Sequence, residues 1–293
     1  MNANNDRFPY LSYPEHTDKY YWRQSHDLDG KMQEYTPIAE YYDTLTENKN
    51  LGYLHGWFGG VYDGADYVIA NMNIKGQVAS CAGLFGVVYN GTLKNIILYS
   101  SDGNGVISAS GRQTDAKGNV LNKSKWYAIG GLAGVAASSS GNAVQNCAVA
   151  GYTIDANIYT ASGGWGGGTI GGLVGISNMM LSGCTADTII NITGDLQNND
   201  NMRVGGLAGS CQQSITNCYT GGTINVNSKA SISGKLYIGG IVGGSYMKPL
   251  QVGDNPKITI GFVDDPGGPY YEPNTTPGWT DNSIIDCYSY VKL

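Results

Sequence analysis

The chain has 293 residues, of which only 14% are charged, and it carries a net charge of −6 with a pI near 4.9. No basic stripe is present to release counterions, which argues against nucleic acid or an anionic membrane as partner. The longest apolar runs, such as that around Ile96 to Tyr99, are far too short to span a bilayer, so no membrane insertion is expected.

Glycine at 44 residues and tyrosine at 22, against 4 phenylalanines, fit a β-rich chain full of turns better than a helical one. A chain this long can bury roughly 75% of the surface its unfolded form exposes, so it needs no metal or disulfide staple. The opening MNANNDRF is polar and cannot be the h-region of a signal peptide. If the protein is exported, its targeting segment is absent from this chain.

Residues 1–19, with Pro9 and Pro14, read as a lead-in segment. Two less regular coils follow. KYYWRQSHDLDG and YTPIA, starting at Lys19, have strand character and then a turn. WFGGVYDGADYVIANMNI, from Trp57, reads as strand, Asp-Gly turn and strand, in the manner of a hairpin. Residues 40–50 between them are polar and irregular.

From Ala82 onward one pattern recurs. AGLFG, GGLAG, GGLVG, GGLAG and GGIVG start at Ala82, Gly130, Gly171, Gly205 and Gly239, intervals of 48, 41, 34 and 34 residues. A second segment follows each opening: LKNIIL, VQNCAV, LSGCTA, ITNCYT and, after a long insertion, IIDCYS. A third follows most of these, near Val106, Ile154, Ile190 and Ile224. Short β-type segments separated by Gly, Asn and Ser, with no sustained helical period, point to strands. One such repeat cannot bury its own apolar side, but stacked repeats share a continuous core. The expected fold is therefore all-β: a right-handed parallel β-helix (β-solenoid) of about seven to eight coils, with three parallel strands per coil. It spans 20–293 as one domain. Its repeats lie near 82–108, 130–156, 171–193, 205–227 and 239–291, the last split by an insertion at 248–282.

The openings followed by N-C-Y-x-x-G-x-I resemble the GLUG repeat, known from bacterial surface proteins and from accessory segments of IgA-specific metallopeptidases. The upstream pattern D-L-D-G, Y-T-P-I and F-G-G-V-Y-D-G-A-D-Y-V-I-A-N-M-N-I resembles the stretch that precedes such repeats in adhesin-like proteins. The resemblance covers nearly all of residues 20–293 and implies a surface or secreted β-helix, without implying an activity. Gly183 departs from the pattern by replacing the Asn, and Ile96 by replacing the Cys.

Within that frame, Cys147, Cys184, Cys218 and Cys287 occupy one repeat position and should stack as a ladder of buried thiols. Their parallel side chains point the same way, which is poor geometry for disulfides. Cys81 and Cys211 lie off the ladder, and no C-x-x-C or other zinc spacing occurs, so no metal or cofactor is expected. Asn95, Asn146, Asn217 and Asp286 precede the ladder by one residue, where a left-handed corner suits Asn.

The histidines His16, His26 and His55 form no H-E-x-x-H, and Asp27 and Asp29 beside His26 read as turn carboxylates. GGWGGG at 163–168 reads as a flexible loop rather than a phosphate cradle. No nucleophile elbow is present, so no catalytic residue is named.

Insertions at 109–125, 157–168, 194–202 and 228–235 all follow the third segment and should align along one edge of the stack. Trp126, Tyr159 and Trp165 lie in or beside them, and the long insertion adds Tyr270, Tyr271 and Trp279. These six aromatics are the candidate ligand-binding residues, suited to sugar rings or a protein partner. The expected function is a non-catalytic, extracellular or cell-surface, adhesin-like β-helix. It would bind a host surface protein or glycan, or act as a spacer. The alternatives are a carbohydrate-active β-helix enzyme or binding module, and an accessory fragment of a larger surface peptidase.

Overall fold

A computed structural model of the chain describes residues 20–39, 41–42, 53–54, 57–76, 80–110, 126–138, 141–159, 167–195, 201–227, 235–244, 251–252, 258–259 and 283–293. Among these residues there are strands and no helix. Four large sheets carry the chain, numbered here in the order in which a repeat visits them. In the copy around Gly205, Asn201–Gly205 lies in sheet 1, Ala208–Cys211 in sheet 2, Ile215–Thr216 in sheet 3 and Tyr219–Asn227 in sheet 4. The copies before it do the same, and each strand pairs in parallel with its counterpart from the next copy.

The copies around Gly130, Gly171 and Gly205 thus contribute four strands rather than the expected three, and the copy around Ala82 contributes five, because Ile97–Tyr99 and Gly105–Ser110 are separate strands of sheet 4. The pentapeptide that looked like a strand is a corner: Gly205 ends one strand, Gly206 and Leu207 bend, and Ala208 begins the next. The physical reason is backbone crowding. A Cβ on Gly205 would sit 2.0 Å from the Ala208 carbonyl, and one on Gly209 would sit 2.4 Å from the Ile170 nitrogen. Sheets 1 and 2 fold back so closely that only glycine fits between their backbones.

The second corner explains the Asn-Cys pair. Asn95, Asn146, Asn217 and Asp286 have φ of 53, 51, 53 and 52°, and Gly183 takes the same place with φ of 64°. This is the left-handed region, which Asn and Asp tolerate better than other side chains. The chain there turns from sheet 3 into sheet 4.

Two of the expected elements differ. Val61–Asp63 and Val68–Ala70 are not a hairpin, because they lie in sheets 3 and 4 and each pairs in parallel with other copies. Asp63 to Asp66 make the same kind of corner as the later Asn residues, with positive φ at Ala65 and Asp66. The parallel arrangement also has exceptions. Tyr41–Tyr42 runs antiparallel to both Tyr53–Leu54 and Ser80–Ala82, and Gln251–Val252 runs antiparallel to Ile258–Thr259.

The core is built of ladders. Ile74, Ile107, Ile154, Ile190 and Ile224 are mutual neighbours in register on sheet 4, and all are buried. Leu93, Val144, Leu181 and Ile215 form a matching row on sheet 3. Full burial of each such side chain contributes about 1.5–3 kcal/mol before entropy is counted. At the N-terminal end the fillers become aromatic, with Trp22, Phe58, Tyr62 and Phe85 in ring contact.

Sheet 2 is buried on both faces across Ala133–Ala137, Val174–Ser177 and Ala208–Cys211, and half-buried at Val242–Gly244. Its outer residues Val87, Val135 and Ile176 pack with Cys81 and Ala128 of sheet 1 in a second, smaller core, which Trp57 and Tyr89 flank. Sheet 1 continues that row at Thr169 and sheet 2 at Ser210, and neither buried hydroxyl has a hydrogen-bond partner.

Gly209→Ala should therefore lower stability by about 3 kcal/mol, from overpacking against backbone that cannot give way. Gly103→Ala, in open space with φ of 72°, should cost only about 1 kcal/mol from backbone strain. Thr169→Val and Ser210→Ala should each be neutral or stabilising, up to about 1 kcal/mol, because they remove an unpaired polar group. Denaturant unfolding of the four variants reads all these differences.

Candidate functional site

Two polar constellations stand out on this scaffold. The first joins the three N-terminal strands of sheet 3, Tyr21–Arg23, Val61–Asp63 and Thr92–Lys94, at the corner between sheets 3 and 4. Asp63, only 7% exposed, accepts from the Tyr21 hydroxyl, from Asn95 Nδ2 at 3.0 Å and from the Ala65 amide at 2.9 Å. Asn95 and Ala65 meet Oδ1, while Lys94 Nζ lies 3.4 Å from Oδ2, the oxygen that Tyr21 also meets, and 5.2 Å from the Tyr21 ring centroid. Burial alone would raise the Asp63 carboxyl. The hydrogen bonds from Tyr21, Asn95 and Ala65, with the Lys94 charge, outweigh it and hold the group well below the usual carboxylate range. The Tyr21 contact, followed by the Asp63 charge, raises Lys94 in return. Both carboxylate oxygens are engaged, so this cluster clamps strand to strand and is not set up as a general base.

The second constellation is an open trough of about 670 Å³ on the outer face of sheet 4. It exists because strand side chains alternate: the ladder isoleucines point inward, and the residue after each points out. Those outward residues are Lys75, Ser108, Asp155, Asn191 and Asn225, in register across five strands. Five strands at about 4.8 Å spacing give the row a length of about 19 Å. Asn157 and Thr193, also in register, form a second polar row beside it.

Hydrogen bonds run along the row. Asn225 Nδ2 donates to Asn191 Oδ1 at 2.9 Å, and Asn191 Nδ2 donates to Asp155 Oδ1 at 3.0 Å. Lys75 at the far end pairs with Glu34 at 3.3 Å. The arrangement offers fixed donors and acceptors to a hydroxyl-rich ligand. Among the described residues no group of three or more His, Cys, Asp or Glu is placed to hold a metal ion.

The residues singled out from the sequence are distributed differently. Trp126 opens the sheet 1 strand Trp126–Gly130, and Tyr159 ends the sheet 4 strand Ala148–Tyr159, so they flank the passage from sheet 4 to sheet 1. Trp165, Tyr270, Tyr271 and Trp279 lie outside the described residues, as do His16 and His55. Asp29 accepts from the Lys31 amide two residues on, at 2.9 Å, and is a turn carboxylate as expected, whereas Asp27 accepts from the Val68 amide at 2.8 Å and ties two distant segments together rather than closing a local turn. The His26 ring lies 2.9 Å from the neighbouring Ser25 hydroxyl, and its carbonyl accepts from Gln24 Nε2 at 2.9 Å.

The cysteines form the expected ladder of free thiols, buried at Cys147, Cys184 and Cys218 and partly exposed at Cys287. Each thiol donates to the carbonyl two residues back, at 3.2–3.3 Å. The Cys184 amide points at the Cys218 sulfur, and the Cys218 amide at the Cys287 sulfur, both at 3.4 Å. Cys184 is pushed up to about 12, first by its hydrogen bond with Cys147 and then by burial. Cys211 is pushed up to about 12 by burial. These thiols are structural.

The trough residues were not singled out in the sequence. The signal that could have found them is the polar residue after each third-segment isoleucine: Ser108, Asp155, Asn191 and Asn225. Among the described residues, no helix is long and apolar enough to cross a membrane. No family model, curated protein or solved structure matches the chain.

Two outcomes follow. The contribution of Asp63 is present above its unfolded value near 3.9 and is lost as pH falls towards its lower folded value. Thermal melts should show stability dropping below about pH 4 in the parent chain and a shallower drop in Asp63→Asn. At about pH 8, iodoacetamide should leave Cys184, Cys211 and Cys218 unmodified in the folded chain, while Cys287 reacts ahead of its ladder neighbours. Mass spectrometry of tryptic peptides reads this pattern directly.

Proposed function

We propose that the chain is a right-handed β-solenoid of about seven to eight coils, displayed at a cell surface or secreted, that binds an extended glycan without transforming it. The pairing of every sheet between successive copies supports the solenoid, and the hand follows the preference of parallel β connections. The resemblance of the repeats to GLUG segments supports the surface setting and an adhesin-like role.

The observation that carries the binding reading is the in-register row Asp155, Asn191 and Asn225, linked by hydrogen bonds along the open trough of sheet 4. A row of amides and hydroxyls repeating at the strand spacing suits a polymer whose hydroxyls also repeat. The same row supplies no nucleophile with an activating base, and its one carboxylate has no second acid opposite it among the lining residues. Binding without turnover is the chemistry that these groups support.

A glycan array probed with the purified chain should give hits among extended polysaccharides, and Asn191→Ala with Asn225→Ala should weaken them about tenfold, the loss expected for two hydrogen bonds. Both side chains lie at the surface, so the double variant should keep the parent melting temperature. Release of reducing ends from a bound glycan would contradict the non-catalytic reading. Unchanged binding by the double variant would contradict the site.

A further inference from the structure

We infer that the sheet 4 trough selects an uncharged glycan, laid along the stack with about one sugar unit per strand and recognised by its hydroxyl edges. This rests on the glycan-binding reading above and adds charge, register and mode of contact to it.

The charge argument comes from the lining. Lys75 is the single cation among the described residues that line the trough, and it pairs with Glu34 at 3.3 Å. Asp155 sits in the middle of the row, and the whole chain carries −6. A uronate or sulfated polymer would meet like charge at the centre and no free cation among the lining residues, which opposes both encounter and docking.

The register argument comes from the strands. Parallel pairing fixes the five outward side chains at about 4.8 Å intervals, close to the advance of one sugar along an extended chain. The hydrogen bonds consume one N–H from each of Asn191 and Asn225 and one oxygen of Asp155. Each amide keeps a second N–H, and Asp155 keeps Oδ2. The row therefore offers donors at Asn191 and Asn225 and acceptors at Asp155 Oδ2 and Asn225 Oδ1, repeating at the strand spacing.

The mode of contact follows from what lines the trough. None of the lining residues is aromatic, so ring faces have no stacking platform there. Recognition falls to the hydroxyls at the sugar edges, and the ligand need not pass the Trp126 and Tyr159 corner.

The test is calorimetric titration of the whole chain with neutral gluco-, manno- and xylo-oligosaccharides and with oligogalacturonides, each from two to eight units. At least one neutral series should bind. Its affinity should rise with each added unit and level off at about five units, the number of strands in the row. Oligogalacturonides of equal length should bind at least tenfold more weakly, and Asp155→Asn should narrow that gap. Asp155→Ala should weaken the neutral series severalfold. Equal or tighter uronate binding, or affinity independent of length, would overturn this inference while leaving glycan binding intact. Failure of every series to bind would overturn both.

Discussion

Two backbones pass within contact of each other where sheet 1 bends into sheet 2, and the rest of the molecule depends on that approach. Gly134 faces the Ala82 nitrogen, Gly175 the Ile129 nitrogen, Gly209 the Ile170 nitrogen and Gly243 the Val204 nitrogen, with hypothetical Cβ distances of 2.4–2.8 Å. The contact recurs once per copy. It puts Ile129, Ile170 and Val204 into the main core while their neighbours Ala128 and Thr169 turn towards the smaller one. A side chain at any of these glycines would separate the sheets and open both cores.

Much of this was legible in the sequence, and the remainder was obscured for physical reasons. The recurrence of the openings, the buried thiol ladder and the left-handed Asn corners all follow from residue type and spacing, and Asn146 and Cys147 sit where those rules put them. The strand count did not follow. Gly-Gly-Leu-Ala-Gly reads as the first strand of the repeat only by its place in the pattern, and its glycines serve an approach between segments far apart along the chain. The strand that pairs in sheet 1 lies just before it, where Asn201 to Val204 carry no common motif with Trp126 to Ile129. The Asp-Gly at Asp63 was likewise misleading, because the same dipeptide serves a hairpin turn and a corner between sheets.

The candidate site shows the same division. Inward positions on sheet 4 must fill a ladder, and they stay isoleucine from Ile74 to Ile224. Outward positions answer to solvent or ligand and change type, from Lys75 through Ser108 and Asp155 to Asn191 and Asn225. That drift hid the row, since no motif recurs at it, whereas the aromatics of the insertions drew attention by size alone. Only the register of the strands assembles a lysine, a serine, an aspartate and two asparagines into one surface.

On the proposed reading the stacked parallel sheets are scaffold, and specificity lies in side chains that the repeat leaves free to vary. The most direct measurement is the NMR response of the side-chain amides of Asn191 and Asn225 during titration with the tightest-binding neutral oligosaccharide. The account predicts saturable shifts at both, with the backbone amides of the Gly206 and Gly240 corners unmoved. Saturable binding that leaves both Asn side chains unshifted, and shifts instead the Trp126 and Tyr159 corner, would contradict it.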